Sequence, residues 1–409
     1  MLFKKIALYH VLPITIATVI TCVLVKKYVP IEATDYTVSQ TQINNTRFVD
    51  AFHVNNLNNQ LAFSIALKKR IPILFGSSEL TSNHLDGLAT NFFNKNLQSD
   101  HFFSIGHAGF QTLAIMSVLA ANKPLLPQSK ITIILSPSWF EKQYASGTSL
   151  KSFFEFCPPN YLYQIYNDPS IDNNTKKHIG NYLYHNYDKI SKPDAVIRLM
   201  SKHYNDNLKF HQLMNYPFEL LDAFELKAQE SSNYYLTSQK QIVEQLASAP
   251  AKPYYFYHKP VNWDSLNTIA AKEFKLISNN NDVAVENSYY DFWLKNKEKK
   301  KLHAVDLKDN TEYHNFLALI QFLKSVNCKP LFVITPLNTK AHQNMEVLEP
   351  VINAINNELK TNNLTVLDMF TPNLKNYQDG VLEDIMHPYN IGWYQIDKFI
   401  LDNYHDGNK

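Results

Sequence analysis

The 409-residue sequence is poor in the residue types that mark several specialised classes of protein. It has only three cysteines, which excludes a dense disulfide framework, and none of them has metal-binding spacing. Cys157 and Cys328 could form a disulfide, although two free or buried thiols are the favoured interpretation. The fifteen histidines show no paired ligand spacing, so we predict no metal site, and no cofactor is predicted either. The formal net charge of +2 gives no global electrostatic reason to expect a nucleic-acid partner.

Glycine is also scarce, with nine residues in the whole chain. A chain that uses glycine so rarely is expected to place it where a tight turn or a close backbone approach requires it. Four of the nine, Gly76, Gly106, Gly109 and Gly392, lie in segments that carry other unusual residues. These segments are therefore the first candidates for a functional site.

An uncharged run extends from Ile6 to Val25, with a pair of lysines at each end. Twenty residues of helix match the roughly 30 Å hydrocarbon core of a bilayer. A cleaved signal peptide is the rival interpretation, but the run lacks a small-x-small cleavage site and exceeds the usual apolar length. "VITC", ending at Cys22, only faintly suggests a lipoprotein site. We predict an uncleaved anchor over residues 1–30, followed by a domain over 31–409.

The rest of the chain alternates between strand and helix patterns, with one interruption. Five strands joined by helices predict an α/β fold with a mostly parallel five-stranded sheet flanked by helices. The segment from about 149 to 300 loses the strand pattern and is too long for a loop, so we predict a helical insertion there. A helix is also predicted within residues 49–70. The predicted strands are 71–75, 101–106, 131–136, 330–335 and 364–370.

Ligands of such folds bind beyond the carboxyl ends of the strands. The segments that follow the five predicted strands are therefore expected to meet at one edge of the sheet, although they are scattered in sequence. They read "GSSE" from Gly76, "GHAGFQT" from Gly106, "SPSWF" from Ser136, "TPLN" from Thr335 and, a little further on, "EDIMHPYNIGW" from Glu383.

These segments carry the residue types of a serine nucleophile and its base. A serine hydroxyl needs a base to remove its proton, and an imidazole does so when a carboxylate orients it. Asp384 and His387 are three residues apart, which suits that pairing, and the backbone amides of Ser78 and Gly109 could bind an oxyanion. Taken alone, "GSS" is usually a turn and D-x-x-H a loop stabiliser. Their joint occurrence at strand ends favours catalysis, although no G-x-S-x-G elbow is present.

The same residues resemble the SGNH, or GDSL-like, hydrolase superfamily. Gly76-Ser77-Ser78 stands where that superfamily has Gly-Asp-Ser, so Ser78 matches the nucleophile. Asp384 and His387 match its late D-x-x-H-P block, and Gly109 matches its glycine block. Ser138 stands at about the place of an asparagine that normally supplies a further oxyanion donor. The resemblance implies a flavodoxin-like core built around these blocks.

One family within this superfamily resembles the sequence more closely. "FGSSEL", "GHAGFQT", "LSPSWF" and "FWLKNKEKK", together with the N-terminal run, resemble the DltD family of teichoic-acid D-alanylation. The resemblance implies an extracytoplasmic domain on a single-pass membrane anchor. It implies a membrane-bound acyltransferase and a D-alanyl carrier as partners, and an anionic teichoic-acid-like polymer as acceptor. The implied reaction forms a D-alanyl ester on Ser78 and passes it to a polymer hydroxyl.

Three alternatives stay open. The chain could hydrolyse the ester instead of transferring it, serve as a noncatalytic scaffold, or be a related envelope O-acyltransferase or esterase. The presence of Ser78, Asp384 and His387 argues against the scaffold. The pair "GSSEL" and "SPSWF" favours the D-alanine branch over enzymes that act on acetyl groups.

The sequence also predicts roles for other residues outside the proposed triad. We predict that Gly76 is the pivot of a sharp turn that needs its conformational freedom, that Ser77 supports the turn, and that Ser78 begins a helix. Glu79 and Trp139 are candidate substrate-binding residues. A salt bridge or a helix-terminal charge is the alternative for Glu79, and a core position is the alternative for Trp139. The lysines of "KNKEKKK", from Lys295 to Lys301, are predicted to hold an anionic polymer or lipid surface, with a solvated helix end as the alternative.

Overall fold

The protein divides into two units, Met1–Ser39 and Gln40–Lys409. In the first unit, residues 12–17 are helical. Across the described residues, no helix is long and apolar enough to cross a membrane. The predicted anchor from Ile6 to Val25 lies mostly outside those residues, so it stays a prediction. The computed structural model describes residues 11–17, 19–20, 46–52, 57–96, 102–203 and 260–404.

The second unit is built on a six-stranded parallel sheet with the strand order β1-β3-β2-β4-β6-β8. All five predicted strands are present, as β2, β3, β4, β6 and β8. The sixth strand, β1, pairs with β3 and was not predicted. Strands β5 and β7 pair with each other in a separate two-stranded sheet. The strands are β1 (Phe48–Val49), β2 (Ile73–Phe75), β3 (Phe103–Ile105), β4 (Ile131–Leu135), β5 (Lys300–Lys301), β6 (Leu331–Ile334), β7 (His342–Gln343) and β8 (Val366–Asp368).

Strand β2 occupies the position in the sheet that matters most for function. Its neighbours are β3 on one side and β4 on the other, so the chain leaves β2 toward one side and returns to the opposite side. In doubly wound sheets, the crevice for ligands opens at such a reversal, beyond the carboxyl ends of the strands. All residues of β2, β4 and β6 are buried, which explains their nearly continuous apolar sequences.

Helices account for most of the remaining described residues. They are α1 (Leu57–Lys68), α2 (Ala89–Asn91), α3 (Thr112–Ala121), α4 (Leu150–Phe156), α5 (Pro159–Asn167), α6 (Asn173–His185), α7 (Ala195–His203), α8 (Trp263–Ile277), α9 (Asn287–Tyr289), α10 (Thr311–Ser325), α11 (Glu349–Thr361) and α12 (Asn390–Tyr404). Short helical turns cover Ser78–Thr81, Phe92–Asn96, Lys123–Leu125, Pro137–Phe140, Tyr187–Lys189, Tyr290–Leu294, Leu307–Asp309, Met345–Leu348 and Leu374–Asn376.

The segment predicted as a helical insertion contains the helices α4 to α9 in its described part. Within it, the segment "DAVIRLMSKHY" from Asp194 has a helix-like pattern and contains α7. A second segment with a helix-like pattern, "QIVEQLASA" from Gln241, lies outside the described residues. The segment ends in the two-residue strand β5, which the sequence pattern did not predict because its residues are both lysines.

The hydrophobic core holds the last helix against the sheet. Trp393 in α12 is completely buried and belongs to one cluster with Leu74 of β2, Ile134 of β4 and Val333 of β6. Because α12 begins three residues after His387, this packing fixes where the preceding loop sits. Cys157 and Cys328 are free and buried, which confirms the favoured interpretation of these two thiols.

Candidate active site

The segment after β2 turns sharply and enters a four-residue helical turn at Ser78. The amide of Gly76 donates to the carbonyl of Ile105 at 3.0 Å, which ties the end of β2 to the end of β3. The Ser77 hydroxyl donates to the carbonyl of His107, also at 3.0 Å. Ser77 therefore supports the nucleophile segment, but its acceptor lies in the loop after β3 and not in the turn itself.

One expectation about this turn was wrong, and the other was right only about where the helical turn begins. Gly76 does not adopt a left-handed backbone conformation. Space favours glycine there, because a Cβ atom would lie 2.7 Å from Glu79 Oε1 and 2.9 Å from Leu80 Cγ and would force these side chains to shift. The helix predicted to begin at Ser78 is only one short turn, Ser78–Thr81, so it provides no substantial helix dipole.

Asp384 and His387 lie in a tight hairpin-like loop before α12. The Tyr389 amide donates to the carbonyl of Val381 at 2.9 Å, and the Glu383 amide donates to that of His387 at 2.9 Å. Inside the loop, Asp384 Oδ1 accepts hydrogen bonds from the amides of Met386 and His387, both at 2.7 Å. The carboxylate thus holds the loop closed while its second oxygen stays available for the imidazole.

The structure brings Ser78, His387 and Asp384 into one hydrogen-bonded row. Ser78 Oγ lies 2.7 Å from His387 Nε2, and His387 Nδ1 lies 2.6 Å from Asp384 Oδ2. With Nδ1 donating to the carboxylate, Nε2 is left as the acceptor for the serine proton. The row has the order and spacing of a nucleophile, a base and an orienting acid.

Electrostatics favour an ionised Asp384 beside a basic imidazole. Burial alone would raise the pKa of Asp384, but hydrogen bonds from His387 and from the loop amides outweigh it and lower that pKa. Burial alone would lower the pKa of His387, but Asp384 raises it, helped by the negative charges of Glu79 and Glu383. The imidazole is therefore a better proton acceptor than an ordinary buried histidine.

Comparisons with known proteins add an independent line of evidence. A family model described as DltD protein matches residues 50–405. The chain therefore belongs to the DltD family. Protein DltD of Bacillus subtilis (strain 168) is 25% identical over 352 residues, which cover 82% of each chain. Protein DltD of Staphylococcus aureus (strain NCTC 8325 / PS 47) is 20% identical over 334 residues, 80% of this chain and 79% of the relative.

Gly109 lies in the loop after β3 that the DltD resemblance pointed to. Its φ angle is +88°, and a Cβ atom would lie 2.4 Å from Ser152 Oγ, so only glycine fits without strain. Within the described part of the chain, the amides of Ser78 and Gly109 have no protein acceptor. Both amides are thus free to donate to a ligand, and their part in an oxyanion hole stays a prediction.

The other predicted site residues, Ser138, Trp139 and Glu79, are all buried. Ser138 Oγ lies 2.8 Å from Ser136 Oγ, and Trp139 beside it is buried. Glu79 is also buried and accepts a hydrogen bond from the Ser77 amide at 2.7 Å. Burial raises the pKa of Glu79, although amide hydrogen bonds and His387 counteract it. Substrate binding by Glu79 or Trp139 stays a prediction, as does the oxyanion role of Ser138.

Asn338, just after β6, also positions the His387 loop. Its side-chain amide is fully buried and donates to the carbonyls of Val283 and Asp384, at 3.0 and 3.4 Å. Its backbone amide donates to the carbonyl of Ile385 at 3.0 Å. The sequence placed Asn338 at the correct edge of the sheet but gave no signal of these contacts.

Glu383 joins the two halves of the site. Its Oε1 accepts from the Ser82 hydroxyl at 2.6 Å, and its Oε2 lies 3.2 Å from His84 Nε2. The segment that follows Ser78 is thereby tied to the residue next to Asp384. This role could not be predicted, because it depends on two loops that are about three hundred positions apart in the chain.

Proposed function

We propose that this DltD-family chain is a serine acyl-transfer protein of teichoic-acid D-alanylation, with Ser78 as nucleophile, His387 as base and Asp384 as the acid that orients it. The observation that carries the proposal is the row from Ser78 Oγ through His387 to Asp384, with 2.7 and 2.6 Å between the atoms. Membership of the DltD family supplies the substrate class.

The first half-reaction would load the serine. Ser78 Oγ attacks the carbonyl carbon of an activated D-alanyl ester or thioester while its proton moves to His387 Nε2. The tetrahedral oxyanion accepts hydrogen bonds from the amides of Ser78 and Gly109. The bond to the leaving group breaks, the leaving group takes the proton from His387, and a D-alanyl ester remains on Ser78.

The second half-reaction would transfer the D-alanyl group to the acceptor and regenerate the free Ser78 hydroxyl. A hydroxyl of the acceptor polymer gives its proton to His387 Nε2 and attacks the acyl carbon. The bond to Ser78 Oγ breaks, and this oxygen recovers the proton from His387. Asp384 stays ionised throughout and stabilises the imidazolium in both directions, which agrees with its lowered pKa.

The fold supports an SGNH-type core for this chemistry. The five predicted strands have the sheet order 2-1-3-4-5, which is one of the two common doubly wound orders. The nucleophile follows the first of these strands, and the acid and base precede the final helix. We further propose that the domain lies outside the cytoplasmic membrane on a single-pass anchor, beside a membrane-bound acyltransferase and a D-alanyl carrier.

The test is capture of the ester on Ser78. The full chain in detergent is mixed with the D-alanyl thioester of N-acetylcysteamine, quenched in acid and analysed by peptide mass spectrometry. We expect one alanyl adduct on the peptide that contains Ser78, its loss in Ser78→Ala and His387→Ala, and its retention in Ser77→Ala. The Ser77→Ala variant is the matched control, since it changes the adjacent hydroxyl.

A chase separates the remaining possibilities. A polyglycerol phosphate oligomer added to the loaded protein should receive the D-alanyl group as an ester. Release of free D-alanine alone would identify a hydrolase. Absence of the adduct, together with normal polymer D-alanylation in cells that carry Ser78→Ala, would contradict the catalytic proposal and favour a scaffold.

A further inference from the structure

Two aromatic side chains project into solvent close to the loop that carries the base. Phe292 is 72% exposed and Trp293 is 54% exposed. Their ring centroids lie 4.8 Å apart, and their planes are nearly perpendicular at 75°. Adjacent exposed rings of this size form an apolar patch of the kind that marks an interaction surface.

The turn that carries these rings buries other apolar side chains of its own. The exposure of Phe292 and Trp293 is therefore not the result of a turn that lacks core contacts. Tyr289, Tyr290 and Leu294 pack with Val283, Val285 and Ala341 in a small cluster that also contains Ile385 of the His387 loop. Phe292 and Trp293 are the apolar members of the same turn that face outward. Folding this segment would not require them to be aromatic.

The backbone holds the turn in shape. The amide of Lys295 donates to the carbonyl of Tyr290 at 2.8 Å, and that of Lys297 donates to Leu294 at 3.0 Å. The amide of Glu286, just before the turn, donates to the carbonyl of Glu383 at 2.8 Å. The outward rings are therefore presented by a fixed element that is tied to the loop of Asp384 and His387.

Exposed lysines flank the aromatic pair. Lys297 Nζ lies 5.5 Å from the centroid of the Trp293 ring, and Lys295 forms a surface ion pair with Asp291 at 3.0 Å. Lys299 and Lys301 are exposed. Lys300 differs, because its ammonium bonds Gln143 at 2.9 Å and lies over the Tyr144 ring. We call Phe292, Trp293, Lys295, Lys297, Lys299 and Lys301 the aromatic–lysine patch.

We propose that the aromatic–lysine patch contacts the surface of an anionic lipid bilayer. Tryptophan and phenylalanine at the boundary of a bilayer place their rings among the upper acyl chains, while nearby lysines reach the headgroup phosphates. The lysines supply the charge that complements acidic lipids. The contact would keep the loop of Asp384 and His387 close to the bilayer surface.

The geometry of the rings favours lipid over a soluble anionic polymer. A polyol phosphate offers its charges to lysines but has little apolar surface that would bury two exposed rings. The nearly perpendicular planes of Phe292 and Trp293 also deny a sugar ring one continuous stacking platform. Acyl chains impose no such demand, because burial in hydrocarbon is not directional.

The test measures whether Trp293 reaches acyl chains. The full chain is reconstituted in vesicles of phosphatidylglycerol and phosphatidylcholine, with or without bromine on the phosphatidylcholine acyl chains, and tryptophan emission is compared. We expect bromolipid quenching that is lost in Trp293→Phe. Trp263→Phe is the matched control and should keep the quenching, since it removes a half-buried tryptophan from α8. This readout is independent of any reaction at Ser78.

A second arm tests the lysines. Changing Lys295, Lys297, Lys299 and Lys301 to glutamine should remove most of the Trp293 quenching in vesicles with phosphatidylglycerol. The control changes three other exposed lysines, Lys324, Lys329 and Lys360, to glutamine. They lie at the opposite edge of the sheet, so this variant should keep the quenching. Equal quenching in wild type and Trp293→Phe would overturn the proposal. So would a Trp293 emission shift on adding polyglycerol phosphate in detergent, with no quenching by bromolipid, because the patch would then bind polymer.

Discussion

The Nε2 atom of His387 lies 2.7 Å from the Oγ atom of Ser78, although 309 positions separate the two residues in the chain. The contact joins the turn after β2 to the loop before α12. Neither segment could hold this geometry alone, since one is a short helical turn and the other a tight loop. The parallel sheet places one of them, and the buried helix α12 places the other.

Removal of any member of this row should reveal that the three side chains act together. We expect Ser78→Ala and His387→Ala each to lower acyl transfer by several orders of magnitude, with a somewhat smaller loss for Asp384→Ala. The double variant of Ser78 and His387 should be no worse than either single variant. Single-turnover transfer from the D-alanyl thioester measures this. Losses that multiply in the double variant would show that the residues act separately.

Replacing Ser77 should affect stability more than chemistry. Ser77→Ala removes the hydrogen bond from its hydroxyl to the carbonyl of His107, which should cost on the order of 1 kcal/mol. Activity should be largely retained, because the Ser77 hydroxyl donates to the His107 carbonyl and is not part of the hydrogen-bonded row of Ser78, His387 and Asp384. Thermal unfolding and transfer rates on the same preparation measure both quantities. Loss of activity in Ser77→Ala with retention in Ser78→Ala would reverse the assignment of the nucleophile.

The strands that bury both faces could be predicted from the sequence, because their apolar runs end in clear turn residues. β2, β4 and β6 are of this kind. Strand β1 was not predicted, because two residues are too few to show a pattern. The apolar residues around it were interpreted as part of a helix. Strand β5 consists of two lysines and pairs only because the chain brings it beside β7.

The residues of the candidate site also fall into those that the sequence could predict and those that it could not. Ser78, Asp384 and His387 could be proposed from residue type, spacing and position at strand ends. The reason for glycine at position 76 could not, because the crowding comes from the folded-back side chain of Glu79. Asn338 and Glu383 were missed as positioning residues, since a single sequence does not show which distant carbonyl or hydroxyl a polar side chain will meet.

The pH dependence of transfer should follow the ionisation of His387. The reaction requires a neutral imidazole, so the rate should rise with pH through the pKa of His387. Burial lowers that pKa, but Asp384 and neighbouring carboxylates raise it above the ordinary value of 6.5. Asp384→Asn removes the main raising charge and should therefore move the acid limb to lower pH while reducing the maximum rate.

The measurement is the pH profile of the second-order rate constant for transfer from the D-alanyl thioester. Glu383→Gln is the graded control, because Glu383 raises the pKa of His387 less than Asp384 does. It should move the acid limb in the same direction by a smaller amount. An acid limb that does not move in Asp384→Asn would mean that another group governs the rate.

Gly109→Ala should impair the loop whose unpaired amide is a predicted oxyanion donor. The φ angle of +88° disfavours alanine by roughly 1–2 kcal/mol, and the new Cβ atom would press on Ser152 Oγ at 2.4 Å. We expect a clear loss of transfer with a smaller loss of thermal stability. Ser152→Ala combined with Gly109→Ala relieves only the contact, so it should restore only part of the rate. Wild-type transfer by Gly109→Ala would remove this amide from the mechanism.

Glu312 should make the stability of the fold depend on pH. Its carboxylate is fully buried and accepts from the Thr112 amide at 2.9 Å and the Thr112 hydroxyl at 2.7 Å. Burial raises its pKa from 4.5 to about 7, although these hydrogen bonds and one from Asn315 counteract it. The folded state therefore holds the proton more tightly, and its stabilisation is complete below pH 4.5 and lost as pH rises through about 7.

A shift of this size corresponds to roughly 3 kcal/mol between the two ends of the window. Glu312→Gln keeps an acceptor for Thr112 and removes the titration, so its free energy of unfolding should fall much less between about pH 5 and about pH 8 than that of wild type. Denaturant unfolding of the full chain in detergent measures the difference. Glu346→Gln, which alters an exposed carboxylate before α11, is the control and should keep the wild-type dependence. The same slope in wild type and Glu312→Gln would show that this carboxyl does not carry the extra proton.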